Sequence, residues 1–213
     1  VIIYIPIKEN SQRVPRKNFR EFKGKPLWEH TVDKLKDFQV VIDTDSQEII
    51  DGCKDKKWVT TYVRPQNLQG DKVSVVDLIG NYFQDFPKET WILQLHVTSP
   101  FITEKTINQL KELTKTSHDS FFSVDKIQNR FWRDETYGLV PINHNPMKLE
   151  QTQDLPPYYM ENSCFYLFKR SVLDYGTRIG KKPLQIEIEF PENLDIDTEK
   201  DWEIVKLLEN YEW

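Results

Sequence analysis

Val1-Ile2-Ile3-Tyr4-Ile5-Pro6-Ile7, followed at once by Lys8-Glu9-Asn10-Ser11-Gln12-Arg13-Val14-Pro15-Arg16-Lys17-Asn18, is the stretch that decides how this chain is read. Its first seven residues form a continuous apolar run with one proline. A strand buried on both faces has that pattern, and parallel sheets are built from such strands. The segment after it combines short polar side chains with closely spaced cations. Backbone N–H groups and Arg or Lys heads in that arrangement can surround phosphates. The segment lacks the glycines and the Gly-Lys-Ser/Thr end of a Walker A loop, and it is no dinucleotide fingerprint. Side chains, more than a glycine nest, must therefore grip the phosphate.

Outward from this point, apolar runs alternate with helical periodicity. Pro26-Leu27-Trp28 opens a helix with proline in its first turn, continued by Val32 and Leu35. Gln39–Thr44 reads as a second strand and Ser46–Lys54 as a helix with Ser46 as its candidate cap. Trp58–Val63 is a third strand. Asp71–Phe86 is a helix with Val75, Leu78, Ile79 and Phe83 on one face. Trp91–His96, Ser120–Val124, Asn162–Phe168 and Leu184–Ile188 are further strands, and Thr103–Thr114 and Thr198–Leu208 further helices. This alternation predicts a three-layer, Rossmann-like α/β fold, with a mostly parallel sheet and helices on both faces. One domain is expected over residues 1–213. Residues 125–160 break the pattern and are expected to be an irregular excursion serving as a lid, binding loop or partner contact.

Of the 213 residues, 38% are hydrophobic and 30% charged, which marks a folded rather than a disordered chain. The net charge of −5 argues against bulk nucleic-acid binding. Residues 1–25 nevertheless carry +5, leaving −10 for the rest. A basic segment in an acidic chain suits a small polyanion, although a solvated loop would show the same charge. No apolar run reaches the length of a membrane span, and Val1–Ile7 is too short for a signal peptide. Cys53 and Cys164 have neither metal-type spacing nor a disulfide framework. They read as packing residues of a cytoplasmic, reduced protein.

In open α/β sheets, ligands bind beyond the carboxyl ends of the strands. Those ends here run into Lys8–Asn18, Asp43-Thr44-Asp45-Ser46, Arg64-Pro65 and His96-Val97-Thr98-Ser99-Pro100. Near the C-terminus, Asp195 and Asp197 lie one residue apart. In extended backbone they point the same way and can share an oxygen-seeking cation; they could equally complement the helix that follows. Thr198 and Asp201 have capping-box spacing.

Ile5-Pro6-Ile7-Lys8 through Pro15-Arg16-Lys17-Asn18, with Gly24-Lys25-Pro26-Leu27, resembles the opening signature of the acylneuraminate cytidylyltransferases. That family includes the synthetases of CMP-legionaminic and CMP-pseudaminic acids. Asp43-Thr44-Asp45, Arg64-Pro65 with Leu68 and Asp71, Thr98-Ser99-Pro100, Gln153-Asp154-Leu155-Pro156 with Asn162, and Asp195-Ile196-Asp197-Thr198 resemble its later motifs, in order.

The resemblance implies a Mg²⁺-dependent transfer of CMP from CTP to the anomeric hydroxyl of an acidic nine-carbon sugar, releasing pyrophosphate. It implies CTP contacts at Lys8, Ser11, Gln12, Arg13, Lys17, Asn18, Arg64 and Ser74. Catalytic roles fall to Arg13, Lys17, Asp195 and Asp197, the last two as metal ligands. Sugar contacts fall to His96, Thr98, Ser99, Arg133, Gln153 and Asn162. Lys8 and Gln12 depart from the Arg and Lys common in the family. No basic residue stands at Gln151-Thr152, so Arg133 is expected to meet the sugar carboxylate alone or with Arg130 or Lys148. His96 could bond sugar hydroxyls or simply pack. A homodimer formed through the excursion is also implied. Two alternatives are a CMP-Kdo synthetase, whose motif usually has Lys-Pro at Lys17-Asn18, and a non-catalytic nucleotide-sugar binding module.

Overall fold

A computed structural model describes residues 1–70 and 72–210. Asp71, the expected first residue of a helix, lies outside the described residues. In chain order the elements are β1 (Ile2–Ile7), β2 (Glu21–Phe22), β3 (Lys25–Pro26), α1 (Leu27–Asp33), β4 (Val40–Thr44), α2 (Gln47–Gly52), β5 (Val59–Val63) and α3 (Val75–Phe83). Then come β6 (Trp91–Leu95), α4 (Glu104–Leu113), β7 (Ser120–Ile127), β8 (Trp132–Glu135), β9 (Gly138–Pro141), β10 (Tyr158–Lys169), β11 (Pro183–Glu187) and α5 (Glu199–Leu207).

Seven strands form one sheet in the order β11-β7-β10-β6-β1-β4-β5. β1 pairs in parallel with both β4 and β6, β4 with β5, and β7 with β11. Only β10 runs against its neighbours β6 and β7. The fold is therefore the mostly parallel α/β arrangement expected. The chain steps from β1 to β4 and β5 on one side, then crosses through α3 to β6 on the other. The strand order thus reverses between β1 and β6, where an open sheet leaves a crevice.

Side-chain alternation explains the two helical layers. Ile3, Ile5, Ile7, Val40 and Ile42 face a core shared with Trp28, Val32 and Leu35 of the α1 region, Ile49 and Cys53 at α2, and Ile107 and Leu110 of α4. Tyr4 and Val41 point the other way, onto Leu78, Ile79 and Phe83 of α3. Successive strand residues alternate faces, so one apolar run feeds both cores. Gly52 permits α2 to approach α1, since a Cβ there would lie 2.8 Å from the Trp28 ring. Lys23 and Gly24, with φ 51° and 76°, form the two-residue turn between β2 and β3. Positive φ at both central residues is what a type I′ hairpin turn requires.

The excursion is more regular than expected. β7 continues to Ile127, and β10 begins at Tyr158, so the two form a long antiparallel ribbon. Between them β8 and β9 form a separate hairpin. The polar and aromatic residues of this stretch mask its strand periodicity, because both faces of the ribbon's distal end are largely exposed. The expected helix from Asp71 begins only at Val75, since Ser74 caps it by accepting a hydrogen bond from the Asp77 N–H. Ser46 occupies the cap position of α2 without a side-chain capping bond. Both cysteines are buried and free. Among the described residues no helix is long and apolar enough to cross a membrane.

Candidate active site

A cleft of about 580 Å³ opens at the β1/β6 reversal. One wall is the loop after β1, with Lys8, Asn10 to Val14, Lys17 and Asn18. Another is formed by Arg64 after β5 and by Val73, Val75 and Leu78 at the start of α3. His96, Val97 and Thr98 after β6, Ser163 in β10, and Asp195 and Asp197 complete it. Three of the four polar strand ends therefore line the cleft; the fourth, Asp43 to Ser46 after β4, does not, and Asp43 instead pairs with Arg64. A larger groove of about 1030 Å³ lies between α1, α4 and the end of β11. Two of its charged side chains are engaged within the fold: Lys34 donates to the carbonyls of Pro100 and Ile102, and Thr103 and Thr106 both donate to Glu192.

The loop after β1 is held by its own polar groups. Asn18, almost fully buried, donates from Nδ2 to the Lys8 carbonyl at 3.0 Å. Its Oδ1 accepts no hydrogen bond. Lys8 Nζ donates to the Gly70 carbonyl at 3.1 Å. Arg13 Nη2 donates to Asp197 Oδ1 at 2.6 Å, and Lys17 Nζ lies 3.8 Å from the same oxygen and donates to the Ile196 carbonyl. Burial pushes the Lys17 ammonium pKa down, while Asp195 and Asp197 pull it up. Arg16 adopts the left-handed conformation, turns out of the cleft and pairs with Glu48 at 2.9 Å.

The acidic pair is fixed from both sides. The Ile196 N–H donates to the Thr98 carbonyl at 2.9 Å, tying the segment to the end of β6. Thr198 and Asp201 form the anticipated capping box of α5, and the Asp197 N–H also donates to Asp201 Oδ2. Asp195 Oδ1 is buried and accepts no hydrogen bond. A buried carboxylate oxygen without a donor is costly unless a cation or proton meets it.

Arg64 is fully buried at the cleft floor. Its Nε donates to Asp43 Oδ1 at 2.7 Å and its Nη2 to the Asp43 carbonyl at 2.9 Å. Tyr4 O–H donates to the other Asp43 oxygen, and burial, then the Asp43 charge, push its pKa up. Arg64 Nη1 finds no hydrogen-bond acceptor.

Several expected contacts lie elsewhere. Ser74 is spent capping α3 and donating to Asp77. Ser99 is wholly buried behind the cleft. Arg133 stands on the exposed β8–β9 hairpin and pairs with Glu135. Gln153 is exposed beside Gln128. Asn162 donates to Asp125 at 2.9 Å. Within one chain, none of these five lines the cleft. Ser163 does, and sequence reading missed it. It has φ 60° inside the irregular step of the β10–β7 ladder between Glu161 and Tyr166, and such bulges re-aim side chains beside sites. No sequence signal announces the bulge.

A cytidylyltransferase family model matches residues 2–212. The chain is 29% identical over 206 residues to N-acylneuraminate cytidylyltransferase A of Danio rerio, covering 92% of this chain and 47% of that protein. It thus spans about half the length of that relative. The CMP-N,N'-diacetyllegionaminic acid synthase of Legionella pneumophila is 28% identical, with 98% and 95% covered. The pseudaminic acid cytidylyltransferase of Campylobacter jejuni is 27% identical, with 96% and 94% covered. Among solved structures, a CMP:2-keto-3-deoxy-manno-octonic acid synthetase complexed with CTP superposes with a TM-score of 0.65 at 15% identity, covering 97% of each chain. With the family model matched from β1 through α5 and a cationic cleft at the strand-order reversal, this chain belongs to the cytidylyltransferase family.

Proposed function

We propose that this chain joins CMP from CTP to the anomeric hydroxyl of a sialic-acid-like nonulosonic acid, releasing pyrophosphate. The observation that carries the reading is the meeting of Arg13, Lys17, Asp195 and Asp197 in one cleft at the strand-order reversal. The relatives that match almost end to end are named for pseudaminic and legionaminic acids, both of this sugar class.

The sugar hydroxyl oxygen attacks the α-phosphorus and gives up its proton to water, while the bond from that phosphorus to the bridging β-phosphate oxygen breaks. Negative charge grows on the departing pyrophosphate. Lys8, Arg13 and Lys17 line the cleft and, on exchanging their partners Gly70, Asp197 and Ile196 for phosphate oxygens, stabilise that charge. Arg64 and Asn18, buried and held by partners, give the nucleoside side a rigid floor. His96 and Thr98 line the part of the cleft assigned to the sugar.

Mg²⁺ is part of the proposal. Among the described residues no three acidic, His or Cys side chains gather to hold a metal alone. Two carboxylates suffice for Mg²⁺ when substrate phosphates supply further oxygens. The undonated, buried Asp195 Oδ1 fits that role, and Asp197 leaves 44% of its side chain exposed beside it. When bound, Mg²⁺ would neutralise phosphate charge and orient the phosphates.

The sugar-side role of Arg133 calls for a second copy of the chain. The hairpin and the start of β10 expose Trp132, Tyr137, Leu139, Tyr159 and Met160, an apolar surface suited to a homodimer. The deciding experiment is pyrophosphate release with CTP and a panel of nonulosonic acids and Kdo. Turnover with a nonulosonic acid supports the reading, preference for Kdo replaces it with the octulosonic alternative, and no turnover with any acid refutes it.

A further inference from the structure

Behind His96 lies a polar relay that the reaction described above does not use. Gln94, fully buried in β6, faces His96 with Gln94 Nε2 and His96 Nε2 2.7 Å apart. Arg178 Nη1 donates to Gln94 Oε1 at 2.9 Å. The Arg178 guanidinium carbon lies over the Tyr166 ring, 3.7 Å from its centroid. Tyr166 O–H in turn donates to Glu161 Oε2 at 2.8 Å.

Donor and acceptor logic makes this relay directional. Arginine only donates, so Gln94 must present its oxygen to Arg178 and its NH₂ to His96. An amide nitrogen does not accept, so His96 Nε2 must. The ring is then neutral, and its proton sits on Nδ1. Among the described residues no other hydrogen bond engages the ring, which lines the cleft. We propose that Arg178 and Gln94 are positioning residues that lock His96 as an Nδ1–H donor to an oxygen of the acceptor sugar. The sugar clause rests on the function proposed above; the tautomer does not.

The test is ¹⁵N-histidine labelling of the whole chain, with the His96 signals identified by their loss in His96→Gln. Long-range ¹H–¹⁵N spectra distinguish the two neutral tautomers without any substrate. The native protein should show His96 as Nδ1–H alone. Gln94→Glu replaces the donor with a carboxylate acceptor and should move the proton to Nε2. Arg178→Met, which keeps apolar bulk on Tyr166, frees the amide to rotate and should give a mixture. Both variants should raise KM for the sugar about tenfold, the scale of one lost hydrogen bond, with KM for CTP within about twofold. A role in packing alone would leave the tautomer unmoved. An Nε2–H ring in the native protein, or an Nδ1–H ring retained in both variants, overturns the lock. A switched tautomer with unchanged sugar KM overturns the donor role. Failure to turn over any acid refutes the function proposed above and leaves the tautomer result standing, so the two failures are distinguishable.

Discussion

Asp43→Ala is the perturbation with the clearest energetic consequence. The Asp43 carboxylate is fully buried and meets two partners, Arg64 Nε at 2.7 Å and Tyr4 O–H. Both side chains of the ion pair are withdrawn from water, with exposures of 0% and 1%. Its removal leaves the Arg64 guanidinium buried with only the Asp43 carbonyl as a partner, and Nη1 already lacks an acceptor. Breaking one side of a buried pair costs about 3–5 kcal/mol, because the remaining charge loses compensation it cannot regain from solvent. That is a large share of the roughly 5–15 kcal/mol that holds a domain folded. Tyr4→Phe leaves the charge pair intact and removes one donor, so it should cost only about 1–3 kcal/mol. The two losses share one carboxylate, and the double variant should fall short of their sum. Urea unfolding followed by circular dichroism measures all three, with the m-value checking that the unfolded state is unchanged. Any surviving Asp43→Ala protein should also bind CTP more weakly, since Arg64 forms the cleft floor. An Asp43→Ala cost below about 1 kcal/mol would show that Arg64 finds water or another acceptor, and would refute the reasoning.

Asp197→Asn should lower pyrophosphate release by orders of magnitude while leaving the unfolding midpoint within a few degrees; near-native turnover would refute the proposed Mg²⁺ ligation by Asp197. Arg13→Ala should weaken CTP binding by about 1.5–3 kcal/mol, and Arg16→Ala hardly at all, because Arg16 pairs with Glu48 outside the cleft; titration calorimetry with CTP compares them, and equal effects contradict the placement. Burial, helped by Lys34, Lys23 and Lys25, pushes the His30 pKa down to about 4. The unfolded chain therefore binds the extra proton between the ordinary value near 6.5 and 4. Stability should fall as pH drops through that window, and His30→Gln should flatten that part of the thermal-unfolding profile; an unchanged profile refutes it. Arg133→Ala should raise KM for the sugar and spare that for CTP if a second copy carries Arg133 to the cleft. Sedimentation should then show a dimer, and a monomer with unaltered kinetics excludes Arg133 from the sugar site.

The order of strands and helices was legible in the sequence because each buried strand is a short apolar run and each helix an apolar stripe of different period. The cationic loop was legible for a similar reason: Lys8 to Asn18 are contiguous, so local composition reports their joint charge. The Asp195/Asp197 pair and the Thr198–Asp201 cap are local too. What sequence could not fix is whatever depends on two distant segments meeting. Asp197 reaches Arg13 across 184 positions, and Gln94 reaches Arg178 across 84. Gln94 looks like a lone polar interruption in an apolar strand until the fold places arginine behind it. Ser74 and Asn162 carry side chains suited to ligand contact. Their nearest partners, the first turn of α3 and Asp125, engage them instead. Ser163 gains its place from a backbone irregularity that neighbouring strands impose. Residue type sets which bonds a side chain can make; only the packed sheet decides which partner lies within 3 Å when the chain has closed.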